Sequence, residues 1–219
     1  MAVKPKAIVS GLVVVALQWT LAIVAWGGWK AFFAHPAFIA LAVVIACLIL
    51  AAPFAGGNFD RGDKEDRGNR WVIPALFCLA VLNAFLSPLT DRLGFMTIDG
   101  DAARWVGVAL FAAGGALRLW AVFVLGRRFS GLVAIQTGHA LQTRGVYGRV
   151  RNPAYLGMEI HLIGWALTFR SGVGLLLVAL GLIPLVARMR SEEKLLREHF
   201  GVEYDAYFAR SWRLIPWVY

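Results

Sequence analysis

Polar residues along this chain are sparse and bunched, and the gaps between them divide it into six apolar runs at about 7–29, 36–55, 71–89, 105–125, 154–169 and 173–187. Each is close to the ~20 residues that cross a hydrocarbon core as a helix, the last two being short. Only residues 170–172 separate the fifth from the sixth, which predicts a tight antiparallel hairpin. The pattern predicts an all-α integral membrane protein with about six transmembrane helices. Beyond the sixth run the periodicity stays helical but turns charged. Leu195, Leu196, His199 and Phe200 share one face, and Gly201 is placed to stop the helix. Tyr204, Tyr207, Phe208, Trp212 and Trp217 follow, amphipathic aromatics suited to a tail helix at the bilayer surface. The polar stretch 56–70 carries four acids and four bases, but its acids miss the calcium-loop spacing, so it reads as a solvated loop.

Composition supports the membrane assignment: 59% of residues are hydrophobic and only 16% charged, where soluble domains carry about a quarter. The net charge of +9 would suit a nucleic-acid partner, but no binding module accompanies it. Cytoplasmic loops of membrane proteins are rich in Lys and Arg for topological reasons. With the N-terminus inside, six spans put seventeen Lys and Arg on the cytoplasmic side. Four (Lys30, Arg92, Arg104, Arg170) fall on the other, and Arg118 lies within a helix. Both termini are therefore expected in the cytoplasm. The first run is long enough to span and lacks a convincing cleavage site, so it is read as a retained helix. Cys47 and Cys78 sit in separate apolar runs and imply no metal cluster or disulfide framework.

Charge and hydrogen-bonding capacity concentrate in the second half, which suggests a division into N-terminal helices (1–125) and a catalytic region (126–219). Residues 144–157, RGVYGRVRNPAYLG, pack three arginines, two tyrosines, three glycines and a proline between apolar runs. A loop at membrane depth must have its backbone satisfied by protein, water or ligand. Pro153 is placed to start the fifth helix where its missing N–H costs nothing. Arg188 and Glu192, at i and i+4, are either a surface ion pair or a charge pair at the mouth of a cavity. Arg118, Glu159 and His161 lie about two turns inside the bilayer, where charge is costly and usually paired. Glu159 could face the interior and pair with Arg118 beside an acceptor pocket, or Arg118 could snorkel to the interface while Glu159 braces the hinge. Gly114 and Gly115 suit close helix approach. Met158 and Trp165 read as packing residues, and His35 as interfacial.

The string HALQTRGVYGRVRNPAYLG, followed by a Glu-Glu pair and then FGVEYDAY and RLIP, resembles the isoprenylcysteine carboxyl methyltransferase family, over about residues 126–216. The resemblance implies an S-adenosylmethionine-dependent enzyme with a lipophilic or lipidated acceptor, the bilayer as its other partner and no nucleic acid. It implies that Gln136, His139, Ala140, Leu141, Gln142, Tyr147, Asn152, Pro153, Ala154 and Tyr155 surround the cofactor. Glu192 would bind the cofactor's ammonium group and Arg188 an anionic acceptor, with Arg151 bracing the loop within the catalytic group. The stretches GGNFDRGD and GRRFSG look like bacterial members, implying a bacterial inner membrane with the site facing the cytoplasm. Where the family usually has histidine, this chain has Asn152, which can hydrogen-bond but cannot act as a base. Methyl transfer to an ionised carboxylate or thiolate needs no base. A thiol, a phospholipid amine, a sterol-type reductase using NADPH, and a non-catalytic membrane protein are the other readings.

Overall fold

The computed structural model describes residues 5–55, 64–65, 67–126, 134–135 and 141–219. Among the described residues eight α-helices follow in order: α1 (Pro5–Trp26), α2 (Trp29–Phe33), α3 (Pro36–Ala55), α4 (Val72–Leu93), α5 (Ala102–Leu125), α6 (Pro153–Thr168), α7 (Gly172–Phe200) and α8 (Val202–Ala209). The one β element among the described residues is a two-residue antiparallel ladder, β1 (Lys64–Glu65) with β2 (Ala134–Ile135), which ties the loop after α3 to the loop after α5.

Four helices are long and apolar enough to cross a membrane: Pro36–Phe54, Val72–Leu93, Ala102–Leu125 and Gly172–Phe200. Of the other two expected spans, α1 has 22 residues, as many as α4, and α6 is shorter. The first run breaks after Trp26 because Gly27 and Gly28 take φ of 113° and 99°, so α2 starts as a separate turn. Helix α6 has 16 residues, about 24 Å of helix against a ~30 Å core. The sixth run does not stop at 187. Gaining charge does not end a helix, and α7 continues without a cap to Gly201, absorbing the expected tail segment and leaving α8 as the short helix after it.

The tightest packing joins α5 to α6. A Cβ at Gly114 would lie 2.3 Å from the backbone nitrogen of His161, and one at Gly157 would lie 2.6 Å from that of Arg118. One heptad away, Gly107 and Gly164 meet the other helix's backbone in the same way, at 2.2 Å from Thr168 N and Phe111 N. Small residues at helix crossings let backbones touch where lipid gives no hydrophobic drive to association. Gly115 instead faces Leu48 of α3 and the His161 ring.

At the end of the bundle carrying the α6–α7 turn, aromatic rings of α1–α3 and α6 form the main core: Trp26 on Phe38 at 4.7 Å, and Phe38 on Phe169 at 4.9 Å. Arg104, expected in an exposed turn, is drawn in beneath these rings. Both guanidinium ends of its fork go to Asp91, with Nη1 also donating to the Thr168 carbonyl at 3.1 Å. Arg170 joins from the hairpin turn, 2.9 Å from the same carboxylate. Ser171 caps α7 by accepting from Gly174 N. Cys47 and Cys78 are free and exposed on lipid-facing surfaces rather than buried.

Candidate active site

The opposite end is built from the loop before α6, the lower part of α7 and the C-terminal tail. Gly145, at φ 64°, opens a 3-10 turn over Gly145–Gly148 that buries Tyr147. The Tyr147 hydroxyl donates to the Ala121 carbonyl at 3.2 Å, and its own carbonyl accepts from Tyr207 of α8 at 2.7 Å. Burial pushes both phenols up, Tyr207 to about 12 and Tyr147 further, so both are neutral donors at physiological pH. The loop then pairs with the tail: Arg151 N donates to the Trp212 carbonyl and Trp212 N to the Arg149 carbonyl, each at 2.8 Å.

Arg151 does brace this loop. Its guanidinium reaches the carbonyls of Phe208 and Ser211 and, at 3.1 Å, one oxygen of Glu193, while stacking 4.1 Å from the Phe208 ring. The other Glu193 oxygen is held by Arg213 at 2.7 Å. These contacts commit the Arg151 guanidinium to α7 and the tail. Asn152 is likewise turned to the tail, its amide donating to the Arg213 carbonyl at 3.0 Å.

Adjacent positions on α7 point about 100° apart, so the Glu-Glu pair divides its work, and Glu192 faces α6. There the Arg188 Nε donates to the Tyr155 hydroxyl at 2.5 Å, and that hydroxyl donates to Glu192 Oε1 at 2.5 Å. Arg188 also contacts the same oxygen at 3.2 Å. The i, i+4 pair is therefore not a surface bridge: the Arg188 side chain is buried and a third residue links it to its partner. Pro153 opens α6 beside it; the Tyr155 and Leu156 amides both donate to the Asn152 carbonyl at 3.1 Å, which leaves the Ala154 amide without a partner among the described residues.

Arg118 lies one helix away, donating to the Ala154 carbonyl at 3.3 Å. The expected Arg118–Glu159 pair is not formed. Gly157 is the residue pressed against Arg118's backbone, and Glu159, two positions on, is about 200° around α6. Glu159 is buried, as its placement predicted, without an ionic partner among the described residues. Gln136, His139 and Ala140 lie outside the described residues. Leu141 and Gln142 are half-buried at the start of the loop, and the Gln142 amide donates to the Arg144 carbonyl at 3.4 Å.

On its membrane side Arg118 lines a half-open cavity of about 570 Å³ walled by α1, α3, α4, α5 and α6. Its walls are largely aliphatic, with Met158 and Trp165 contributing as packing residues, and Gln18, Asn83 and His161 supply the other polar groups. Gln18 and Asn83 were not singled out from the sequence. The available signal was an amide side chain in the middle of an apolar run.

The match to known families agrees with this geometry. Residues 102–203 match the phospholipid methyltransferase family model. A probable protein-S-isoprenylcysteine O-methyltransferase of Oryza sativa subsp. indica is 28% identical over 174 residues, 78% of this chain and 88% of that one. Protein-S-isoprenylcysteine O-methyltransferase A of Arabidopsis thaliana is 30% identical over 154 residues, 67% of this chain and 77% of its own. Among solved structures, a eukaryotic intramembrane Ras methyltransferase, isoprenylcysteine carboxyl methyltransferase, superposes with a TM-score of 0.51 at 17% identity. That superposition covers 97% of this chain and 86% of the other, and it shows a common fold. On the extent and identity of the plant matches, this chain belongs to the isoprenylcysteine carboxyl methyltransferase family.

Proposed function

We propose that this protein is a membrane-embedded methyltransferase that moves a methyl group from S-adenosylmethionine to the carboxylate of an isoprenylcysteine-like, lipophilic acceptor. The observation that carries the reading is the Tyr155–Arg188–Glu192 clasp at the start of α6, where Arg118 of the cavity wall donates to the carbonyl of neighbouring Ala154. It brings together one anion, one cation and an unusually apolar approach from the bilayer.

The residues present fit the cofactor. Glu192 supplies a carboxylate for its ammonium group, and the Ala154 amide, which has no partner among the described residues, supplies a donor at the opening of α6. Tyr147, Asn152, Pro153, Ala154, Tyr155, Leu141 and Gln142 form the surrounding wall, to which Gln136, His139 and Ala140 would add. When bound, S-adenosylmethionine supplies an electrophilic methyl group on its sulfonium. Arg188 offers N–H donors and positive charge to an acceptor carboxylate, with Tyr155 orienting both ionic groups. An ionised carboxylate needs no general base, whereas an ammonium acceptor would face the repulsion of Arg188 and Arg118. The protein's contribution is therefore alignment and exclusion of water. In this scheme residues 1–125 mainly shape the lipid guest's pocket and 126–219 hold the cofactor, Arg118 serving both. Glu159, buried beyond the pocket wall, supports α6. The strong excess of Lys and Arg on one side supports a cytoplasm-facing site with both termini inside.

The test is incubation of the full chain in lipid nanodiscs with labelled S-adenosylmethionine and a panel of S-farnesylcysteine, small-thiol and phospholipid acceptors. Label is expected on the farnesylcysteine carboxylate as a base-labile ester. Calorimetry should detect S-adenosylhomocysteine binding and none by NADPH. Glu192→Ala should weaken the former, and Arg188→Ala should raise the acceptor KM. Transfer to the thiol or the amine alone would overturn the reading.

A further inference from the structure

The intramembrane cavity is not built for a plain hydrocarbon. Beside aliphatic residues such as Val15, Ile45, Leu48 and Leu76, it presents polar groups from four different helices: Gln18 of α1, Asn83 of α4, Arg118 of α5 and His161 of α6. Their bonds leave defined capacity over. The His161 Nδ1 lies 3.0 Å from the Phe111 carbonyl. A carbonyl can only accept, so this contact puts the proton on Nδ1 and leaves Nε2 as a bare acceptor. The Asn83 Oδ1 accepts the Ser87 hydroxyl at 2.6 Å, leaving its amide N–H groups to donate. Gln18 makes no hydrogen bond among the described residues, and its amide offers both roles. The ring of His161 is itself held in place, tilted by 32° against Phe111 with centroids 3.6 Å apart and close to Gly115.

An unsatisfied polar group in hydrocarbon costs several kcal/mol by order of magnitude. A saturated or purely isoprenoid chain lying here would leave an acceptor and several donors unpaired. A hydroxyl is the smallest single group that donates to a bare imidazole nitrogen and accepts from an amide at once. Resting on the reading that the acceptor's chain occupies this cavity, we infer that His161 and Gln18, with Asn83, select an acceptor whose apolar chain carries a hydroxyl. The charged end of such a guest stays at Arg118 and Arg188, and the hydroxyl is read deeper in the bilayer. His161 and Gln18 are then specificity-determining residues on chain chemistry, separate from the clasp that holds the carboxylate.

The experiment compares N-acetyl-S-farnesylcysteine with a series of analogues, each carrying one hydroxyl at a successive isoprene unit. The full chain in nanodiscs is assayed in two ways: displacement of a fluorescent farnesyl probe without cofactor, and methyl transfer with it. One hydroxyl position should compete about five- to tenfold better than the plain chain, the scale of one well-made hydrogen bond to a polar partner. Gln18→Leu should abolish that preference and raise kcat/KM for the plain chain, since the unpaired amide is gone. His161→Phe should do the same. Should that variant fail to fold, Gln18→Leu carries the test alone. If no hydroxylated analogue outcompetes the plain chain, or if the preference survives in Gln18→Leu, the inference is overturned. Discrimination in the displacement assay without methyl transfer would support it while overturning the proposed activity.

Discussion

Two buried ionic clusters sit near opposite ends of the same helix bundle, and they are built on opposite principles. At the hairpin end, Asp91 receives two arginines. Its side chain is wholly buried, Arg104 is 4% exposed, and the rings of Trp26 and Phe38 lie 5.4 and 5.3 Å from the Arg104 guanidinium. The two carboxylate oxygens there accept from two bidentate forks. At the other end, a tyrosine hydroxyl and an arginine share one oxygen of Glu192, whose side chain is 24% exposed. The Asp91 carboxylate has spent its accepting capacity on four N–H groups that hold α4, α5 and the hairpin together. The second oxygen of Glu192 accepts no hydrogen bond among the described residues. Saturation marks a fastener and partial saturation marks a site.

Four measurements would break or sharpen that contrast. The largest effect is expected for Asp91→Ala, which takes the shared anion from buried Arg104 and half-buried Arg170. Losing one side of such a pair costs about 3–5 kcal/mol, so the thermal unfolding midpoint in nanodiscs should fall steeply. A melt indistinguishable from the parent protein would remove the distinction. Next, Arg188→Gln and Glu192→Gln should each lower kcat/KM about a hundredfold, about 2.7 kcal/mol, while the melting point barely moves. A large melting shift in either variant would make the clasp a second fastener. Tyr155→Phe, which removes only the bridging hydroxyl, should cost about tenfold in kcat/KM, with both substrate KM values changed because it orients both ionic groups.

The smallest effect concerns the latch between α8 and the loop. Tyr207 has its phenol lifted to about 12 by burial. A group whose pKa is raised in the folded state stabilises it fully below the unfolded value, near 10, and loses that contribution as pH climbs toward 12. Melts between pH 10 and 12 should decline with a slope that Tyr207→Phe flattens. An unchanged slope would exclude the phenol as its source.

The two clusters also differ in how far sequence alone foretold them. Arg188 and Glu192 are one helical turn apart, so their contact follows from periodicity, and their burial follows from the neighbouring apolar run. Tyr155 becomes their partner only because the hairpin returns α7 alongside α6. The Asp91–Arg104 contact joins different helices, and counting Arg104 among turn charges gave no sign that it folds inward under aromatic rings. The Arg118–Glu159 pairing failed because both residues had been placed by depth alone, and depth says nothing of azimuth around the helix. The Gly107–Gly164 and Gly114–Gly157 contacts needed the two helices set in register before the heptad spacing of their glycines acquired meaning. Gln18 and Asn83 were visible as isolated amides, but it took three dimensions to assemble them around one hollow.

The glycine contacts between α5 and α6 carry one more consequence. A seam in which each helix rests directly on the other's main chain is shut to anything as thick as an acyl tail. A hydrophobic guest arriving sideways from the bilayer must then use a doorway on the flank formed by α1, α3 and α4, and the side chains along that flank set the traffic in and out.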